Sequence, residues 1–148
     1  MTSFEASFEE MLEAKIKKSV PIIRPEVLAS YGLNRFFILD TRSAHEYDTS
    51  HLPGAIRVGY RDFDLGKLSD YPLDSCLLVY CSVGYRSEQV GEKLMEAGYS
   101  KVFNLYGGIF GWKNQGRVIL NDSEFPTERV HTYSEKWGQW LKTGEKVF

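Results

Sequence analysis

The sequence predicts an α/β fold in which a mostly parallel five-stranded sheet is covered by helices on both faces. Short apolar runs at residues 20–23, 36–39, 56–58, 77–80 and 102–105 alternate with helix-patterned segments. In such sheets ligands bind outside the carboxyl ends of the strands. Two chemically capable residues, Asp40 and Cys81, each lie at such an end. With 148 residues, 43% apolar and 26% charged, the chain is large enough for one domain with a real core.

Each element has its own local reason. Residues 4–18 read as an amphipathic helix, with Phe4, Phe8, Met11, Leu12 and Ile16 on one stripe. Glu5, Glu9, Glu10 and Glu13 precede Lys15, Lys17 and Lys18, which complements the helix dipole. A strand over 20–23 leads to a short helix over 25–29 with Pro25 in its first turn. The strand over 36–39 ends in Asp40, and Ser43 then caps a helix through Tyr47, with Glu46 completing a capping box. His51-Leu52-Pro53-Gly54-Ala55 is a turn feeding the strand over 56–58, and the polar stretch 62–70 reads as helical. The strand over 77–80 runs into Cys81, and residues 87–97 form a helix that Gly98 stops. Val90, Leu94 and Ala97 share its apolar face. After the strand over 102–105, Gly107-Gly108 turn the chain into a short helix containing Trp112.

The ends extend this core. Residues 1–19 form an N-terminal helix packed on a domain of residues 20–116, and residues 117–148 form an extension of the same globule. Tyr133, Trp137, Trp140 and Leu141 fall at helical spacing, so a terminal aromatic helix is expected. Packing of that helix back onto the core and the N-terminal helix outweighs partner anchoring, since exposed aromatic patches are uncommon on monomers.

Composition excludes several function classes. A net charge of −2 gives no electrostatic case for nucleic acid or an anionic membrane. No apolar run approaches the ~18 residues of a membrane span, and the acidic N-terminus has no signal-peptide core. The cytoplasm is the default compartment, which suits a free thiol. Cys76 and Cys81 make no disulfide, because five extended steps hold them about 16 Å apart. Cys76 reads as a small buried hydrophobe. His45 and His131 lack clustered partners and read as surface residues, so no metal site and no cofactor are expected.

Cys81 is different. It is followed by Ser82-Val83-Gly84-Tyr85-Arg86-Ser87, a short glycine-containing loop that opens a helix. Backbone N–H groups of such a loop can converge on one point, and the helix directs its positive end there. Both effects favour thiolate over thiol, which makes Cys81 a nucleophile. Gly84 closes the loop through a backbone conformation that other residues avoid. Val83 and Tyr85 form wall and rim, and Ser87 adds a hydroxyl. Arg86 has two roles open to it, holding donor oxyanions or bracing the loop against Asp40 or Glu46. Bracing is preferred, because arginines at strand–helix junctions tie loops together. Arg42 reads the same way, and Asp40 and His51 read as structural.

The chain resembles the rhodanese-like family of single-domain sulfurtransferases. The residues that carry the resemblance are Asp40-Thr41-Arg42 with Glu46-Tyr47, then residues 51–55, the loop 81–87, and Asn104-Leu105-Tyr106-Gly107-Gly108 with Trp112. The resemblance implies a three-layer fold and a ping-pong transfer of sulfane sulfur. Cys81 would attack the outer sulfur of a donor such as thiosulfate. An acceptor such as cyanide or a small-molecule or protein thiol would then take the sulfur from the persulfide. Three other readings stay open: a non-catalytic docking module, a persulfide carrier to a protein partner, and a cysteine-dependent phosphatase or arsenate reductase. The last is disfavoured because four residues separate Cys81 from Arg86, one fewer than phosphatase loops use to enclose a tetrahedral oxyanion.

Overall fold

The computed structural model describes residues 1–148. Strands β1 (Ile22–Ile23), β2 (Phe37–Asp40), β3 (Ile56–Arg57), β4 (Cys76–Tyr80) and β5 (Lys101–Leu105) form one sheet in the order β1-β5-β4-β2-β3. Every pairing is parallel, with Leu39 opposite Val79 and Val79 opposite Asn104. Parallel strands buried on both faces read as continuous apolar runs, and β4 shows why. Leu78 and Tyr80 enter a core of 18 buried residues on one face, whereas Leu77 and Val79 enter a core of 10 on the other.

Helices α1 (Ser3–Lys15), α2 (Pro25–Tyr31) and α5 (Gly108–Asn114) cover the larger core through Leu12, Leu28 and Ile109-Phe110. Helix α4 (Tyr85–Glu96) covers the smaller one through Val90 and Leu94. Helix α1 starts at a capping box: Thr2 Oγ1 accepts from Glu5 N at 3.0 Å, and Thr2 N donates to Glu5 Oε2 at 3.3 Å. Helix α3 (Ala44–Thr49) carries the same device, Ser43 with Glu46. The linker from α1 to β1 is tied down by Glu88 of α4, whose carboxylate accepts from the amides of Lys17, Lys18 and Ser19 at 3.0, 2.6 and 3.2 Å. No helix is long and apolar enough to cross a membrane.

Three expectations need correction. The stretch 62–70 is not an α-helix: Asp64 accepts from Gly66 N at 2.9 Å and starts only a 3-10 turn, Leu65–Leu68. Cys76, at the first position of β4, is half-buried. The C-terminal aromatic helix is one turn, α6 (Glu135–Gly138), within a ribbon in which β6 (Arg129–His131) pairs parallel to β7 (Glu145–Val147).

Beyond α6 the amides of Trp140 and Leu141 bond only three residues back, to the carbonyls of Trp137 and Gly138, and the chain then leaves the helical path. Asn114 Oδ1 takes the amides of Lys142 and Thr143 at 2.7 and 3.1 Å. The extension still packs on the core. Ile119, Val130 and Leu141 are buried in the larger cluster, and the Trp140 ring lies 6.0 Å from Phe8 and 6.4 Å from Phe4.

Candidate active site

Strand β4 delivers Cys81 to the carboxyl edge of the sheet, and the chain turns at once into α4. The thiol is 1% exposed. The amide of Gly84 donates to Cys81 Sγ at 3.1 Å, and Ser87 Oγ lies 3.5 Å from the same sulfur. Gly84 has φ +119°, in the left-handed region that favours glycine, and occupies the position just before α4.

Three of the loop's carbonyls are held on the far side. Cys81 and Ser82 carbonyls accept from the amides of Ile109 and Phe110 at 3.0 and 3.1 Å. The Gly84 carbonyl accepts from Asn104 Nδ2 at 3.0 Å and from Glu88 N at 3.1 Å. In a trans peptide the N–H points opposite to the C=O. The amides of Ser82, Val83 and Tyr85 are therefore turned away from α5 and Asn104, free for an anion. Gly108 makes this possible: a Cβ there would sit 2.5 Å from the Cys81 carbonyl oxygen and closer still to that of Ser82.

Asn104, buried on β5, does a second job. Its amide group is oriented by Gly84, so its Oδ1 faces Ser87 and accepts the Ser87 hydroxyl at 2.6 Å. A hydroxyl has one hydrogen. While it is donated to Asn104, Ser87 presents a lone pair to Sγ.

Arg86 braces the loop. Its two terminal nitrogens donate to Glu46 Oε1 and Oε2 at 2.9 and 3.0 Å, and one also donates to Ser82 Oγ at 3.0 Å. Glu46 thus caps α3 and anchors the loop together. Burial pushes the Glu46 carboxyl up, but Arg86, with help from Arg42 and the Ser43 amide, holds it down at about 2. Burial likewise lowers the affinity of the Arg86 guanidinium for its proton, and Glu46 more than reverses this. Between the carboxylates left open for Arg86, the partner is Glu46.

Asp40 and Arg42 form a separate buried brace behind the site. Arg42 Nη2 donates to Asp40 Oδ2 at 2.7 Å and to the Ser50 carbonyl at 2.6 Å, while Tyr80 OH donates to Asp40 Oδ2 at 2.6 Å. Both side chains are fully buried and neither lines the cavity over Cys81. His51 stacks on Tyr47 with ring centroids 4.2 Å apart and contacts Glu124 Oε1 at 3.0 Å, well outside the site.

A cavity of about 710 Å³ opens over Cys81, with Ser82, Val83, Tyr85 and Arg86 in its lining. Part of its wall was not foreseen: His131, Tyr133 and Trp137 come from the C-terminal ribbon, and Tyr60 and Arg61 from the segment after β3. His131 is consequently not a free surface residue. Its Nδ1 accepts from Tyr133 N at 3.1 Å, which leaves the hydrogen on Nε2. Burial lowers its affinity for a second proton. The Tyr133 ring lies 5.4 Å from the Arg86 guanidinium carbon.

Fold and site together define an α/β protein that presents a buried cysteine thiol at a strand end, in a loop whose Gly84 amide donates to the sulfur. The chain belongs to the rhodanese-like domain family, whose profile matches residues 24–115. It is 32% identical over 83 residues to a sulfurtransferase of Allochromatium vinosum, which covers 56% of this chain and 77% of that one. A tRNA uridine(34) hydroxylase of Streptococcus thermophilus is 40% identical over 77 residues, but the match spans only 24% of that longer protein. Among solved structures, a rhodanese-like domain from Anabaena sp. aligns with a TM-score of 0.62 at 27% identity, over 69% of this chain and 80% of that one. A thiosulfate sulfurtransferase from Pseudomonas aeruginosa shares the fold at 24% identity and a TM-score of 0.64, over 93% of this chain and 26% of that one. His131, Tyr133 and Trp137 lie beyond the family match.

Proposed function

We propose that the protein is a sulfurtransferase that carries sulfane sulfur as a persulfide on Cys81. The observation that supports this most directly is the 3.1 Å hydrogen bond from Gly84 N–H to a buried Sγ facing an accessible cavity. In the first half-reaction the Cys81 thiolate attacks the outer sulfur of the donor. A new S–S bond forms at Sγ, the donor's S–S bond breaks, and its electron pair departs on the leaving group, sulfite when thiosulfate is the donor. In the second, an acceptor nucleophile takes the outer sulfur and returns Cys81 as thiolate. The inward amides of Ser82, Val83 and Tyr85 offer hydrogen bonds to the terminal sulfur of the persulfide anion, where charge concentrates. Arg86 acts by holding Ser82 in place, since both its terminal nitrogens are engaged by Glu46.

Incubation with thiosulfate is expected to add one sulfur mass to the intact protein, and cyanide to remove it as thiocyanate. Cys81→Ser protein that still produced thiocyanate would overturn the assignment. The same variant also addresses phosphatase chemistry: aryl-phosphate hydrolysis that depended on Cys81 would replace sulfur transfer as the reading.

A further inference from the structure

We propose that the donor used by this chain is a carboxylate-bearing organic persulfide about the size of a short peptide, selected by the wall that the C-terminal ribbon adds over Cys81. The inference rests on the sulfurtransferase reading and names its substrate class.

Size is the first argument. The cavity holds about 710 Å³, within the ~300–1,000 Å³ range of pockets that enclose drug-sized organic molecules. Thiosulfate occupies on the order of 100 Å³, the space of a few waters, and would touch only the floor around Cys81. The lining is the second. Tyr60, Tyr85, Tyr133 and Trp137 all face the cavity, and rigid aromatic rings offer apolar contact at low entropic cost. An inorganic oxyanion gains nothing from such a wall.

Charge is the third argument. Four other charged residues in or beside the cavity are paired: Glu46 with Arg86, and Asp62 with Arg57 at 2.7 Å. Arg61 lines the cavity, is exposed, and makes no ion pair or hydrogen bond. Arg61 is therefore the cation of the lining with no side-chain partner, and it is placed to pair with a carboxylate on the organic part of the donor. Finally, the wall is held in a costly conformation. Tyr133 has φ +72°, unusual for an aromatic residue. The Tyr133 N–H bond to His131 Nδ1 and the stacking on Arg86 hold it over the loop.

The step balances without a further reagent. Cys81 thiolate attacks the outer sulfur of R–S–SH, the outer S–H passes to Cys81 as Sγ–SH, and the electron pair of the broken S–S bond leaves on R–S⁻.

The test measures the rate of Cys81 persulfide formation by quenched intact mass spectrometry, with glutathione persulfide and thiosulfate as the two probes. The expected result is loading at least tenfold faster, at equal subsaturating concentration, from glutathione persulfide. Tyr133→Ala and Trp137→Leu should each lower the ratio of the two rates about tenfold, and Tyr133→Phe should restore it. Arg61→Gln should raise the half-saturating concentration of glutathione persulfide several-fold. Because Trp137 also packs on the core, the exposed Tyr133 decides between the outcomes if the Trp137 variant fails to fold. Loading of wild type with a ratio near one or favouring thiosulfate, or a ratio unmoved by Tyr133→Ala, overturns the donor assignment while leaving sulfur transfer standing. Absence of loading from either probe overturns both.

Discussion

Replacing Glu46 by Gln separates charge from shape at the brace of the sulfur loop. In the wild type Glu46 is 3% exposed and its partner Arg86 19% exposed, so solvent screens the pair little. A carboxyl held at about 2 rather than its ordinary 4.5 stabilises the folded state by about 3 kcal/mol at neutral pH, at ~1.4 kcal/mol for each tenfold change in acidity. Because the folded value lies below the unfolded one, this contribution is fully present above about pH 4.5 and fades as pH falls through about 2. Glu46→Gln should therefore be about 3 kcal/mol less stable in urea denaturation at pH 7. The gap should shrink to roughly 1–1.5 kcal/mol at pH 3, where the wild type is losing its own advantage. Adding Arg86→Met should recover part of the loss at pH 7, because it removes the buried cation that Glu46→Gln leaves without a counter-charge. A stability difference that stays constant from pH 7 to pH 3 would refute the brace as described.

Two further perturbations address the scaffold. Gly108→Ala should cost about 3 kcal/mol and slow persulfide formation at Cys81, since the new Cβ would push against both loop carbonyls; thermal unfolding with the loading assay measures both, and near-wild-type values would mean that α5 does not clamp the loop. Glu88→Gln should cost about 2–3 kcal/mol, because an amide offers one acceptor oxygen where three backbone amides converge. Hydrogen exchange should accelerate at Lys17, Lys18 and Ser19 in particular, and a uniform change across the chain would count against the tether.

The parallel sheet was readable because both of its faces are buried, which makes β4 a continuous apolar run and leaves β2 and β5 mostly apolar. The position of Cys81 followed from the same pattern, since a strand that ends in Cys-Ser-Val-Gly has little choice of turn. Ser43 and Glu46 were readable as a capping box and Glu46 as one of two carboxylates open to Arg86, but the choice between it and Asp40 was not, because the contact spans 40 residues. Asn104 left a visible trace: a polar residue inside the apolar run 102–105 requires a buried partner, and here it has two. The C-terminal ribbon left none. Its aromatic spacing is helical, yet the ladder stops after one turn, and the next amides, of Lys142 and Thr143, go to Asn114, about 28 residues earlier. That part of the cavity wall was hidden for the same reason, as His131, Tyr133 and Trp137 reach the cavity over Cys81 only through that ribbon.

The depth of Cys81 has a consequence for how the protein behaves in air. Covalent joining of two copies through this thiol would need the paired sulfurs about 2.05 Å apart and their Cα atoms within about 7 Å. A sulfur that is 1% exposed behind a backbone turn cannot meet its twin at that range, so oxidative cross-linking between molecules falls to the half-exposed Cys76 at the opposite end of the strand. Cys81 is thus open only to reactants slender enough to thread the cavity.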